Sequence, residues 1–547
     1  MQKICKNCQA VFEITDFETG VFAKLGVPEP TLCIDERHRR RLSHRNERKI
    51  YKDTCDLTGK PIISLFSPDK NITAYSQDAW WGDSWDPRDH GRDFDFNRSF
   101  FEQFHELELA VPHLSLMNMY GENSEFCNIT TGNKNCYLVF GGDINRDCMY
   151  SVFNMGCTDT ADVYWVNKSE LVYDSVDLDS CYHILYSRNC FSCSEGAFLF
   201  ECRNCEKCFG CVGLIGKKYH IFNVQYSPEE YEEKIKEFHL DSFEQVEKIK
   251  AEFEAFILKF PHRSALIVNS ENCTGDIIYG SKNCQNCFCA NPGTEDCKDL
   301  FLSTNSAKDI VSSDHIGHKG ELYYECMGSI TSTNCAFCLY SWQSPYTYYC
   351  NLVANCHDLF GCTNMRRNEY CILNKQYSKE DYLALREKII EHMKKTGEWG
   401  EAFPMQNSIF AYNETVANDY FPITREEALK QGLKWLDEEL KSAGTGPEIP
   451  DSIRQVTDEI LNQTLVCQKT GRTYRIIKQE LDFYRKMGIP VPHFAPETRT
   501  EMRIKLRKPP HVWSRICSNC KKPILTSYSP DRPEVVYCEE CYLKTVY

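Results

Sequence analysis

The cysteines in the middle of this chain recur with a period, and a period restricts the possible folds more than composition does. Twenty-three of the 32 cysteines lie between residues 127 and 371. Cys127, Cys148, Cys190 and Cys211 are separated by 21, 42 and 21 residues, and Cys136 with Cys157 and Cys181 with Cys202 repeat the step. Such a step marks a solenoid, whose units bury their apolar faces only by stacking. The intervening residues are strand-like, as in Tyr137-Leu138-Val139-Phe140, Tyr164-Trp165-Val166 and Ala197-Phe198-Leu199-Phe200. Polar corners such as Asn133-Lys134-Asn135 separate them. Taken as one turn of about 21 residues, with three short strands and three corners, the pattern predicts a parallel β-helix. Asn or Asp stands just before Cys at Asn135, Asp147, Asn189, Asn204, Asn272, Asn283, Asp296, Asn334 and Asn355. Asn tolerates the left-handed backbone of a corner, and its amide can bond its equivalent one turn away. The cysteine that follows then points inward.

The array occurs twice. Asn123-Ser124-Glu125 returns as Asn269-Ser270-Glu271, and Phe209-Gly210-Cys211 as Phe360-Gly361-Cys362. After each copy a helix is expected. Ser227-Pro228-Glu229-Glu230 supplies an N-cap, a proline at the first helical position and a capping-box glutamate. Phe243, Val246, Ile249 and Phe253 share one face of a second helix, and Thr424 with Glu427 caps another. These helices would cap or join the solenoids. A flexible linker is expected at Gly444-Thr445-Gly446-Pro447.

The two ends are a second duplication, held in one register without a gap. Cys5, Gly26, Pro28, Pro30, Arg37, Arg41, Arg45 and Cys55 align with Cys467, Gly488, Pro490, Pro492, Arg499, Arg503, Arg507 and Cys517. The shared positions spell out metal-binding frames in which several cysteines are replaced. Cys517-x2-Cys520 and Cys538-x2-Cys541 form a complete four-thiolate set, expected to hold one structural Zn. The N-terminal frame offers Cys5, Cys8 and Cys33, with Glu36 where a fourth cysteine would stand, as a second Zn site. Asp35 or His38 are alternative donors there. Two further frames keep one cysteine each (Cys55 with Thr58, Ser76 and Ala79; Cys467 with Thr470, Ala495 and Thr498), too few for a structural site.

The pattern C-x2-C, an aromatic-rich segment, Gly-x-Pro-x-Pro, Cys and an Arg-rich helix resembles the zinc-ribbon (treble-clef) families. The likeness runs from Cys5 to about Cys55, and over the matching stretch from Cys467 at the other end. Nearly the whole chain resembles large, cysteine-rich zinc-ribbon proteins of candidate-phylum bacteria. The resemblance implies zinc binding and brings no activity.

The expected fold is mainly β with α: a duplicated parallel β-helix flanked by small zinc-ribbon modules, with capping helices. The expected domains are 1–85 (clef plus degenerate ribbon), 86–226 (first solenoid), 227–260 (helical connector), 261–377 (second solenoid), 378–462 (helices and linker) and 463–547 (degenerate clef plus intact ribbon). No apolar run approaches the roughly 20 residues that span a bilayer. The start lacks an apolar leader, so the expected compartment is the cytoplasm, where thiols stay reduced and 32 cysteines do not form a disulfide framework.

Charge is uneven. Residues 1–54 hold eleven Lys/Arg against eight Asp/Glu, and residues 463–547 hold sixteen against eight. With −15 overall, the middle carries about −26. Helical spacing aligns Arg37, Arg41, Arg45 and Arg48 on one face, with Arg499, Arg503 and Arg507 as counterparts. Arginine forks suit phosphate oxygens, so a nucleic acid or ribonucleoprotein is the expected partner. Pairing with the acidic middle of the same chain, or with a partner protein, is the alternative. The functional expectation is a non-catalytic zinc-binding scaffold with basic terminal modules. Its rivals are a β-helix enzyme acting on a polysaccharide and a redox or metal-handling protein using the C-x2-C pairs. No nucleophile–base pair or convergent carboxylates stand out. Cys202, Cys205, Cys208 and Cys211 approach a ferredoxin-like spacing, but two of them already belong to the cysteine ladders, so structural thiols are expected. Asp314-His315-x2-His318 is expected to be a polar loop. Trp80-Trp81-Gly82-Asp83-Ser84-Trp85-Asp86 is expected to pack as a linker on a neighbouring domain.

Overall fold

The computed structural model describes residues 1–437 and 446–546; Gly444 and Thr445 of the expected linker lie outside them. The middle of the chain winds into two parallel β-solenoids, as the periodicity predicts, but the turn is shorter than the cysteine step. Tyr137, Met149, Ala161, Tyr173, Leu185, Ala197, Phe209 and Ile221 pair in one column, each with the residue twelve positions on. The turn length expected from the cysteine step is therefore corrected to twelve. In the second solenoid the turn widens to thirteen, pairing Glu295 with Lys308 and Lys308 with Glu321, then returns to twelve from Glu321 to Thr333.

The backbone explains the short turn. From Asn135 to Phe222 every third residue has a positive φ, between 42° and 70°. Four such corners per turn give four sides of three residues, in place of three strands and three corners. A left-handed residue costs about 1 kcal/mol or more when it is not glycine. It persists here because interstrand hydrogen bonds and a packed interior over-determine it. All nine Asn and Asp residues expected at corners have positive φ. Their amides form the expected ladder: Asn123 donates to Asn135, and Asn135 to Asp147, each at 3.1 Å.

The residue after each corner points inward. A three-residue side encloses a narrow core, and cysteine is small and apolar enough to fill it. Cys127, Cys148, Cys202 and Cys211 are fully buried. Their thiols donate to backbone carbonyls across the core, as from Cys127 to Cys136 (3.4 Å) and from Cys148 to Cys157 (3.5 Å). The extra cysteines Cys193, Cys205 and Cys208 occupy the same inward phase and are buried.

The solenoids lie flank to flank, sharing an apolar cluster of Phe140, Phe153 and Tyr164 from the first with Phe288, Phe301 and Leu302 from the second. Capped helices Pro228–Lys236, Phe243–Ile257 and Lys379–Thr396 follow them. Val246, Ile249 and Phe253 bury themselves against Phe198 and Phe209 of the last turns of the first solenoid. No helix among the described residues is long and apolar enough to cross a membrane.

The constant register of the two ends holds in the terminal structure too. The hairpin pairing Tyr51 with Ser64 matches the one pairing Trp513 with Thr526. Helix Asp16–Leu25 matches Lys478–Met487, each closed by a left-handed glycine, Gly26 (φ 66°) and Gly488 (φ 63°), where a side chain would be strained. The docking is crossed. Val21, Phe22 and Leu42 of the N-terminal module pack against Val311, Tyr324 and Met327 of the second solenoid. Leu481, Tyr484 and Val491 of the C-terminal module pack against Met149, Tyr150 and Tyr173 of the first. The hairpins instead pair near the first turns: Ala74–Tyr75 with His113–Leu114, and Val536–Tyr537 with His262–Arg263.

Candidate metal centres and arginine clasps

Two groups of Cys, His, Asp and Glu donor atoms gather within 4.8 Å of one another among the described residues: Cys517, Cys520, Cys538 and Cys541, and Cys5, Cys8 and Cys33. In the C-terminal group the turn after strand Trp513–Ile516 presents Cys517 and Cys520. The start of helix Glu539–Val546 presents the other pair. Cys520 and Cys538 bring their sulfurs to 3.7 Å, and the Cys538 N–H donates to Cys517 Sγ at 3.2 Å. Burial pushes the Cys517 thiol up, but N–H groups of Cys538, Cys520 and Asn519 outweigh it and hold the thiol down at about 6. A thiolate is the form a metal binds.

In the N-terminal group Cys8 and Cys33 sulfurs stand 3.5 Å apart. Burial raises the Cys5 thiol, yet N–H groups from Cys33, Cys8 and Asn7 bring it to about 7. The expected fourth ligand, Glu36, is not among the clustered donors, and its carboxylate accepts from Asn7 Nδ2 at 2.6 Å. Asp35 faces His511, and His38 is buried 3.3 Å from Asp314. The frame thus offers three thiols.

The two worn frames keep the knuckle without the ligand set. The Ser76 N–H donates to Cys55 Sγ at 3.2 Å, the same contact as Cys538 makes with Cys517. Ser76 also caps the helix that begins at Gln77. Cys467 Sγ lies 3.6 Å from Thr498 Oγ1.

No family model and no curated protein matches the chain.

The arginines expected to grip phosphate are engaged within the chain instead. Arg37, Arg41, Arg45, Arg499 and Arg503 are buried, and the Arg507 side chain is nearly so. All of them, and Arg48 as well, pair with carboxylates of this chain. Arg41 reaches Asp314 at 2.5 Å and Glu325 at 3.0 Å, and Arg37 lies near Asp299 and Glu325. Arg499 and Arg503 share Asp162 at 2.6 and 2.8 Å, Arg503 also approaches Asp174, and Arg507 pairs with Asp177. Arg45 pairs with Glu47, and the half-buried Arg48 with Asp419. Arg37 with Arg41, and Arg499 with Arg503, sit at helical spacing, but the expected single helical face is corrected: Arg45, Arg48 and Arg507 lie past the ends of helices Ile34–Leu42 and Pro496–Leu506. The receivers of these arginines are not legible in the spacing. Yet Asp162, Asp174, Asp177, Asp299 and Glu325 all stand at left-handed corners. An acidic residue in that triplet phase was the signal that could have found them.

Two histidines are buried beneath the terminal modules. Burial is the main force lowering His44 to about 4, with Arg40 and His105 adding to it and Glu108 and the Phe403 carbonyl opposing. Burial likewise takes His262 to about 4, against Glu534. Their ordinary value is 6.5. Because the unfolded chain takes these protons first, stability is full above about pH 6.5 and falls as pH drops toward 4. The expected loss is about 3 kcal/mol per histidine. Urea midpoints between pH 7 and pH 4 check it, and a His44→Gln variant with an unchanged slope would contradict the assignment.

Proposed function

We propose that the protein is a non-catalytic scaffold, two fused solenoids whose terminal modules are zinc-ribbon-like and pinned by structural zinc. The convergence of Cys517, Cys520, Cys538 and Cys541 carries this reading. Four thiolates on one ion fill a tetrahedron, so nothing is left for a substrate, and such a site stabilises a fold. An all-sulfur set favours zinc over hard cations, and reduced thiols throughout fit a cytoplasmic home. The burial of the arginines supports an intramolecular role for them and takes away the residues on which a nucleic-acid interface rested.

The rival readings lose their particular support. Trp80 is fully buried, and Arg366 stacks over Trp80 and Trp85 while donating to the carbonyls of Gly82 and Trp85. That stretch packs on the second solenoid, as a linker would. The C-x2-C thiols of the middle are inward core, held protonated by burial at Cys190 and Cys202.

Metal analysis of the purified protein tests the proposal. About one or two zinc ions per chain are expected, with a thiolate-rich tetrahedral spectrum on cobalt exchange. Stoichiometric iron with visible absorbance would overturn it.

A further inference from the structure

The solenoids meet along their flanks but do not close the whole seam. A cavity of about 150 Å³ lies between them, lined by Phe153, Trp165, Tyr340 and Trp342 among other apolar side chains. It shares Met155, Trp165, Asn167, Asn291 and Thr304 with a cleft of about 940 Å³. The two adjoin along those residues, the smaller being the more apolar.

Its inner wall carries polar atoms with nothing to bond. His315 is 7% exposed, and neither ring nitrogen has a hydrogen-bond partner. The nearest carboxylate, on Glu47, is 3.6 Å away, beyond hydrogen-bond reach, and is committed to Arg45. The Thr304 hydroxyl is also buried and unpartnered. Leaving such groups unmet costs stability, and native proteins seldom do so without a reason. Burial and the nearby Arg45 keep His315 neutral, so one nitrogen accepts and the other donates. Aromatic walls with a few convergent polar groups are the composition of a small-molecule site.

We propose that the seam between the solenoids binds a neutral, planar heteroaromatic ring whose N–H/C=O edge meets His315 and Thr304. Planarity follows from the aromatic walls; a neutral ring suits a wall where Arg45 is already paired with Glu47 and burial pushes the Asp143 carboxyl up. The edge follows from a donor and an acceptor on one imidazole with a hydroxyl lining the same space.

Riboflavin and the smaller lumazine, both bearing that edge, are the probes, titrated into the full chain and followed by quenching of their own fluorescence. Saturable binding of one ring per chain is expected for at least one probe. Thr304→Val keeps the side-chain shape and removes the unmet hydroxyl. It is expected to hold or raise the melting temperature of the free protein and to weaken binding about tenfold. His315→Phe, which fills the same space without nitrogens, should weaken it at least as much. Methylating the ring N–H of the bound probe should do the same. Absence of saturable binding by both probes, or equal binding to the parent and to Thr304→Val, overturns the proposal.

Discussion

Replacing Cys517 with serine is expected to empty the C-terminal centre and loosen the hairpin Trp513–Thr526, whereas Cys55→Ser, at the equivalent place in the N-terminal copy, leaves metal content unchanged. The two cysteines occupy the same position in duplicate hairpins and accept the same backbone hydrogen bond at 3.2 Å. Only Cys517 has three further thiols within 4.8 Å. Small modules can owe on the order of 10 kcal/mol to such a metal. The loss here should be smaller, because Val536–Tyr537 also pairs with His262–Arg263 and would keep the hairpin tethered. Metal content together with amide exchange over residues 513–537 measures both parts. Retained metal in Cys517→Ser, or equal metal loss from Cys55→Ser, would refute the difference between the two frames.

The second large effect lies in the clasps. Arg41→Met is expected to destabilise the protein by about 3–5 kcal/mol, since it leaves Asp314 and Glu325 buried with less countercharge. Burial pushes the Glu325 carboxyl up, and Arg41, Arg40 and Arg37 pull it below its ordinary value. With Arg41 gone, that carboxyl rises and retains its proton to higher pH. The variant should therefore recover part of its deficit in acid, where the parent does not gain. Arg98→Met removes an exposed pair with Glu102 and Glu106 and should cost less than about 1 kcal/mol. Denaturant unfolding of the two variants side by side decides the matter; a mild Arg41→Met with the slope of the parent would show that the pair contributes little. Arg503→Met, which leaves Asp162 to Arg499 and Asp174 to Lys250, should shift stability in the same direction by less.

Much of the architecture could be read from the residues, and the error in it is instructive. The corner role of Asn and Asp is legible because they take a left-handed backbone more readily than most residues, although Leu138, Tyr150 and Trp165 also adopt it here. The turn length was misread because inward positions recur every third residue. The long cysteine step keeps that phase, as a step of twelve does, since both are multiples of three. Cysteines one long step apart therefore all face the core without standing one turn apart. The amide ladder through Asn123, Asn135 and Asp147 already carried the true spacing. In the metal frames, spacing alone identifies the thiol pairs in tight knuckles, while the place of a carboxylate such as Glu36, which accepts from Asn7, is not carried by spacing. For the arginines, sequence gives charge and helical face but says nothing of what that face meets. Apart from Glu47 beside Arg45, their partners lie far away along the chain, and burial turns a candidate phosphate grip into an internal fastening.

The crossed docking of the terminal modules has a consequence for how the chain is made. The corners Asp162, Asp174 and Asp177 receive Arg499, Arg503 and Arg507, which are synthesised about 330 residues later. The N-terminal module, in turn, must wait for Asp299, Asp314 and Glu325. On the ribosome, the first solenoid therefore holds an uncovered acidic flank until those arginines have been made. Such contacts between distant segments are slow to form, and exposed intermediates are prone to association. Each solenoid is covered by the module more distant from it in sequence, so neither is a free-standing product of its own stretch of message.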